Sequence, residues 1–247
     1  MRGNWLTPYW PSLPSGVRAA TTLRTDGASA GALSSFNLGD HVGDDPSAVA
    51  ENRRILMEEL QLDTEPRWLS QVHGTRVAQL QGSPVTEPAD AAITWLPGEV
   101  CAVLTADCLP VLFCDRIGRR VAAAHAGWRG LSAGVLEATV KAMGGEPGDV
   151  LAWMGPAIGP RAYEVGEEVR QAFVSHAPEA AQAFKPSGAP GKWWCDLYLL
   201  ARQRLAAAGV KSVDGGGFCT YTDERRFFSF RRDGECGRMA TLIWLAD

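Results

Sequence analysis

The stretch RVAAAHAGWRG, residues 120–130, constrains the fold of this chain more than any other. Val121 to Ala124 form an unbroken apolar run into His125, and Gly127 and Gly130 then bracket Trp128 and Arg129. A short continuous apolar run bounded by a turn signal is the pattern of a strand buried on both faces. Such a strand needs a layer on each side, and here it ends by delivering a histidine to the rim of a sheet. Two other segments share the design. In SQVHGTRV a strand-like run reaches His73 and then Gly74, and in TADCLPVL one reaches Asp107 and Cys108 before Pro110. Sheet ends are places where side chains from distant segments meet.

The rest of the chain mixes strand and helix patterns without strict βαβ alternation. GVRAATTLRTDG reads as a strand closing in a turn, and ALSSFNLGDHVGDDP as a loop. DPSAVAENRRILMEELQL reads as a helix capped by Asp45 or Ser47, with Val49, Ile55, Leu56 and Leu60 near helical spacing. RWLSQVHGTRVAQLQ is strand-like and broken at Gly74; ADAAITWLPG and VCAVLTADCLPVLFCD are apolar strands, the second interrupted from Asp107 to Pro110. LSAGVLEATVKAMGG, EVGEEVRQAFVSHA and DLYLLARQRLAAAGV read as helices, the last starting at Asp196 and ending before Gly209. DVLAWMGPAIGP is a strand running into a loop. KPSGAPGKWW is expected to be a flexible surface loop, and FFSFRRDGECGRMATLIWLAD a hairpin whose last strand is central. Neither a repeat nor a linker divides the chain. The expectation is one mixed α/β (α+β) domain over residues 1–247, with mixed β-sheets flanked by helices.

Composition narrows the function classes. The 247 residues are 46% hydrophobic and 21% charged, as in ordinary soluble proteins. A net charge of −4 excludes the basic excess of a nucleic-acid binder, and the one dense basic segment, DERRFFSFRRDGECGR, is interrupted by acids. A membrane span would need about 18 consecutive apolar residues, and none occur. The opening MRGNWLTPYWPSLPSG has prolines and polar residues where a secretory signal has an apolar core, so a cytoplasmic location is expected. The six cysteines show no CxxC pair and are expected to be reduced.

The candidate chemistry lies at the three element ends. His73, Cys108 and His125 match the ligand preferences of zinc, with copper as the alternative. Three protein ligands with an open fourth position is the pattern of a catalytic zinc, which acidifies bound water. Asp107, beside Cys108, is a candidate to orient a histidine or carry a proton. The same residues also suit a Cys108 thiolate nucleophile with His125 as base, or plain structural roles for a buried thiol and a hydrogen-bonded imidazole. Arg129, in a glycine turn that opens a helix, suits a phosphate or carboxylate, or else a surface salt bridge. Arg226, Arg231 and Arg232, with Ser229, form a candidate second anion site beside Phe228 and Phe230. Strand alternation in RFFSFRR would let only some of them share a face.

FNLGDHVGDD, QVHGTRV, ADAAIT, TADCLPVLF, AAAHAGWRGL, GPAIGPRAYEVGEEV and CTYTDERRFFSFRRD with GRMATLIWL resemble the signatures of the YfiH-like laccase-domain family, from about residue 17 to the C-terminus. That resemblance implies an α/β domain related to cysteine-hydrolase-like folds, and a metal site, usually zinc, at His73, Cys108 and His125. It implies one of three activities. The first is phosphorolysis of adenosine, inosine, guanosine and methylthioadenosine, with adenosine deamination. The second is copper-dependent polyphenol oxidation, and the third is hydrolytic editing of peptidoglycan precursors. The four histidines, at positions 41, 73, 125 and 176, cannot build a blue-copper site together with a trinuclear copper cluster. Purine chemistry with a nucleoside and phosphate as small-molecule partners is expected, and precursor hydrolysis, which a zinc-activated water or a Cys108 thiolate would serve just as well, stays open as the alternative. In that reading Arg129, Arg226 and Arg231 are phosphate candidates and Asn37 is a polar contact to the nucleoside.

Overall fold

The computed structural model describes residues 5–82 and 85–246, so the first four residues of the proline-rich opening segment lie outside it. In chain order β1 (Trp5–Leu6) and β2 (Val17–Thr22) precede α1 (Pro46–Leu60). Next come β3 (Val77–Gln79), β4 (Ala91–Thr94), β5 (Val100–Thr105), β6 (Leu109–Asp115) and β7 (Val121–Ala126). Then follow α2 (Trp128–Ala133), α3 (Val135–Met143), β8 (Val150–Met154), β9 (Glu164–Gly166) and α4 (Glu167–Val174). Last are β10 (Phe184–Pro186), β11 (Lys192–Cys195), α5 (Leu197–Ala207), β12 (Ser212–Gly215), α6 (Phe230–Asp233) and β13 (Met239–Leu245).

The strands form a six-stranded sheet in the order β12-β8-β6-β7-β4-β3, a four-stranded sheet β1-β2-β13-β5, and a three-stranded sheet β10-β11-β9. Every residue of β5, β7 and β8 is buried, so the unbroken apolar runs do mark strands covered on both faces. The period of two divides β6 between two cores. Val111 and Phe113 pack with Leu136 and Val140 of α3 and Leu200 and Leu205 of α5, while Leu112 and Cys114 pack with Val103 of β5 and Ile243 of β13. The outer face of the four-stranded sheet, through Leu104 and Leu242, meets Leu56 of α1. The molecule is thus layered helix, sheet, sheet, helix, a mixed α/β architecture as expected. No helix among the described residues is long and apolar enough to cross a membrane, and all six cysteines are free.

Local sequence explains several ends. Asp45 accepts a hydrogen bond from the Ser47 amide and Pro46 occupies the first turn of α1, while Asp196 accepts one from the Leu199 amide to start α5. β13 lies between β2 and β5, central as its apolar run suggested.

Five expectations need correction. In EVGEEVRQAFVSHA the helix starts only at Glu167, because Glu164–Gly166 pair as β9 with β11. KPSGAPGKWW is not a loop throughout: β10 and β11 pair in register, Phe184 with Cys195 and Pro186 with Trp193, so only the residues between Pro186 and Lys192 serve the turn. The C-terminal segment is not a hairpin. Ser229 caps the short α6 by accepting from the Arg232 amide, which removes FFSFRR from any strand. The helix after His125 begins already at Trp128 and is split at Gly134, whose φ of 105° ends α2 before α3 starts. In RWLSQVHGTRVAQLQ only Val77–Gln79 is a strand, and His73 sits in a turn ahead of it.

The register brings the chemistry together. β3 and β4 are parallel with Val77 opposite Ala91, β4 and β7 are antiparallel with Ala91 opposite Ala124, and β6 and β7 are antiparallel with Leu109 opposite Ala126. The starts of β3, β4 and β6 and the end of β7 therefore share one edge of the sheet. That edge carries residues 73, 90, 108 and 125.

Candidate metal centre

At that edge His73, Cys108 and His125 present three ligand atoms that all lie within 4.8 Å of one another. Cys108 Sγ is 3.8 Å from His73 Nε2, and the two imidazole rings meet edge to face with centroids 4.7 Å apart. His125 is 3% exposed, Cys108 is half-buried and His73 is exposed, so the cluster opens to solvent on the His73 side. Two imidazoles and a thiol, with room on one side, fit zinc or copper by donor type.

The backbone is bent to make this meeting. His73 and Asp107 both have positive φ, 60° and 84°. Left-handed conformations cost non-glycine residues of order 1–3 kcal/mol and persist only where surroundings hold them. What holds His73 is Asp90, a fully buried residue at the start of β4. Its carboxylate accepts from the amides of Val72 (3.1 Å), His73 (2.8 Å) and Gly74 (2.7 Å), and from His125 Nδ1 (2.8 Å). The Asp90 carbonyl also accepts the His125 amide at 2.7 Å. Sequence reasoning missed Asp90. It stood in the motif ADAAIT, where an acid opening an apolar strand was a signal left unused.

The glycines of AHAGWRG are there for close approach. A Cβ on Gly127 would lie 2.6 Å from His73 Cδ2 and 3.1 Å from Cys108 Sγ, and one on Gly130 would lie 2.8 Å from the Gly74 carbonyl oxygen. The first lets two site side chains rest on the main chain, and the second lets α2 pack against the His73 turn.

The charges are coupled. Burial would push the Cys108 thiol up, but the charge of His125 and hydrogen bonds from His125 and His73 outweigh it and bring it down to about 6. Burial would hold His125 down, but the Cys108 thiolate and Asp90 raise it to about 9. Burial likewise opposes ionisation of Asp90, and His125 with the Gly74 and Val72 amides holds it below the usual carboxylate value. Without metal the site is a thiolate–imidazolium pair backed by a carboxylate.

The other candidates fare unevenly. Asp107 is not turned to an imidazole: its oxygens accept from the Thr220 hydroxyl at 2.5 Å and the Arg231 amide at 2.7 Å, tying the C-terminal segment to the turn that carries Cys108. Asn37 is not a free polar group. It is fully buried, donates to the Gly39 carbonyl and Asp44, and accepts from the amides of Gly39 and Arg238. Arg226 is spent on Asp223, 2.6 Å from Nε, and lies over Phe227. Arg232 donates to the carbonyls of Thr220, Tyr221 and Phe227, and Ser229 is a helix cap, so Arg226, Arg232 and Ser229 do not join Arg231 in a second anion site. Arg231 donates one N–H to the Glu164 carbonyl and stacks on Tyr163, 5.2 Å from the ring centre, beside Asp107. Arg129 is exposed, stacks on Trp128 at 4.5 Å, and among the described residues meets no carboxylate. The surface salt bridge considered for it is absent.

The chain is similar to known proteins over nearly its whole length. A purine nucleoside phosphorylase of Pseudomonas aeruginosa is 57% identical over 243 residues, covering 98% of this chain and 99% of its own. The purine nucleoside phosphorylase YfiH of Escherichia coli K12 is 54% identical, covering 97% and 98%. A crystal structure of a Neisseria meningitidis protein superposes with a TM-score of 0.93 at 48% identity, covering 99% of this chain and 100% of that one. The family model described as multi-copper polyphenol oxidoreductase laccase matches residues 18–246, and the chain belongs to that family.

Proposed function

We propose that this chain is a purine nucleoside phosphorylase whose zinc is held by His73, Cys108 and His125, and that the same centre deaminates adenosine. The observation that carries the reading is the convergence of three ligand atoms within 4.8 Å, open to solvent on one side. The names of relatives at 57% and 54% identity supply the substrate class. When bound, the ion supplies Lewis acidity toward a substrate oxygen or an attacking water.

The chain's own residues do the rest. Gly127 leaves space for His73 and Cys108 to approach, and the Asp107 contacts tie Thr220 and Arg231 to the turn that carries Cys108. Arg129, a guanidinium without an acidic partner, is the phosphate candidate, since a planar fork of donors matches phosphate oxygens. Arg231 lies on the side of Tyr163 and is the second candidate. In phosphorolysis a phosphate oxygen bonds to the ribose anomeric carbon as the bond to the purine nitrogen breaks. The electron pair leaves with the purine, which takes up a proton. Deamination replaces the exocyclic amine by a water oxygen and releases ammonia.

The family description favours copper as a second reading, and a His₂Cys donor set also suits that metal. The remaining histidines cannot complete a multicopper centre, because His41 is exposed beside Asp40 and His176 follows α4. A single copper at the same three residues is all that this reading allows.

The test is a product assay by mass on zinc-loaded protein with adenosine, with and without phosphate. Adenine and ribose 1-phosphate that require both phosphate and zinc support phosphorolysis, and inosine formed without phosphate supports deamination. No turnover of any purine nucleoside overturns the proposal and leaves precursor hydrolysis as the activity to assay.

A further inference from the structure

The geometry points to Asp90 as the positioning residue that sets both histidines of the site at once, fixing the tautomer of His125 and the left-handed turn of His73. The inference rests on the metal reading above. Asp90 is fully buried, and four donors converge on its two oxygens at 2.7–3.1 Å. A carboxylate is an acceptor only, so the contact with His125 Nδ1 requires the proton to be on that nitrogen. In the neutral ring, the form that binds a metal, Nε2 then keeps its lone pair and is the atom offered to the ligand cluster. The three amides that bind the same carboxylate belong to Val72, His73 and Gly74, the turn in which His73 has a φ of 60°. One side chain therefore aims one imidazole directly and the other through its backbone.

A structural role alone explains this arrangement less well. A buried acid needed only for stability has no reason to draw its donors from two residues 52 positions apart that both present ligand atoms to one point. The main-chain pairing of β4 with β7 already joins the strands, and the Asp90 carbonyl already takes the His125 amide. What the carboxylate adds is the ring contact and the turn.

The test is Asp90→Asn in the full-length protein, with zinc alone as the probe. Asparagine has nearly the same shape but presents one oxygen and one NH₂. That NH₂ opposes the amide donors or donates to His125 Nδ1, which moves the ring proton to Nε2. Zinc affinity by chelator competition is expected to fall about 10–100-fold. Two-dimensional NMR on ¹⁵N-histidine-labelled, metal-free protein at a pH above 9 is expected to show the His125 proton leaving Nδ1 in the variant, a readout that loss of stability alone does not move. Affinity within threefold of wild type together with an unchanged tautomer overturns the assignment. Should the variant not fold, zinc-loaded wild type decides. His125 bound through Nε2 with a protected Nδ1 proton supports the inference, and metal on Nδ1 overturns it. Wild type that binds no zinc overturns the metal reading itself, a result distinct from equal binding by wild type and variant.

Discussion

Replacing Gly127 by alanine separates the geometry of the site from the stability of the fold. The residue has φ −61° and ψ 155°, values alanine adopts freely, so the backbone bears no strain. The added methyl instead lies 2.6 Å from His73 Cδ2 and 3.1 Å from Cys108 Sγ. Carbon atoms pack at about 3.5–4.0 Å, so the His73 ring must withdraw by about 1 Å. His73 is exposed and its ring can swing outward, which relieves the clash by taking a ligand away from the cluster. Zinc affinity should fall about 10–100-fold, and a displacement of that size costs turnover about 100-fold. Stability should hold. Alanine is a poorer helix N-cap than glycine by up to about 1 kcal/mol, but it restricts the unfolded chain by about 0.4–1 kcal/mol. The two offset, leaving the melting temperature within about 4 °C for a chain of this length. Chelator competition for zinc and thermal melts in EDTA measure the two effects. Wild-type zinc affinity in the alanine variant would refute the contact argument, and so would loss of the folded state.

Three further outcomes follow from the same structure. Arg129→Ala should raise the KM for phosphate about tenfold or more with little change in the melt, because among the described residues its guanidinium has no acidic partner to lose; steady-state kinetics at varied phosphate checks this. Asn37→Ala should destabilise the fold by about 1–3 kcal/mol in denaturant titration, because it strands buried groups of Gly39 and Arg238, while the KM for nucleoside stays unchanged. In metal-stripped protein, alkylation of Cys108 by iodoacetamide should rise with pH through about 6, not near the ordinary thiol value. Since its folded value is depressed, the stability that this ionisation contributes builds up above pH 6 and is lost as pH falls through about 6.

The sequence reveals the ligand set because type and position agree there. His73, Cys108 and His125 each follow an apolar or strand-like run and precede a glycine or proline turn, and sheet ends converge. Asp90 was harder to see. Its partners are 17 and 35 residues away along the chain, and only the β3–β4 and β4–β7 register puts it behind both histidines. Adjacency misled in the opposite direction at Asp107, where a positive φ turns the carboxylate from Cys108 toward Thr220 and Arg231. Asn37 reads as a free loop amide, yet burial with satisfied hydrogen bonds makes it part of the scaffold. In RFFSFRR the alternation of aromatic and basic residues imitates a strand, but Ser229 and Asp107 take the amides that would pair it. The strands of KPSGAPGKWW were hidden because turn residues dominate the segment while the pairing partner, β9, lies some 26 residues upstream. Local pattern thus reports which residues end an element. Tertiary register decides which of them meet.

The site itself is tested most directly by X-ray absorption at the zinc edge on the zinc-loaded protein. Zinc held by His73, Cys108 and His125 gives one sulfur at about 2.3 Å and two imidazole nitrogens at about 2.0–2.1 Å, and the sulfur shell vanishes in Cys108→Ala. A spectrum with no sulfur neighbour, or one unchanged by that substitution, would contradict it.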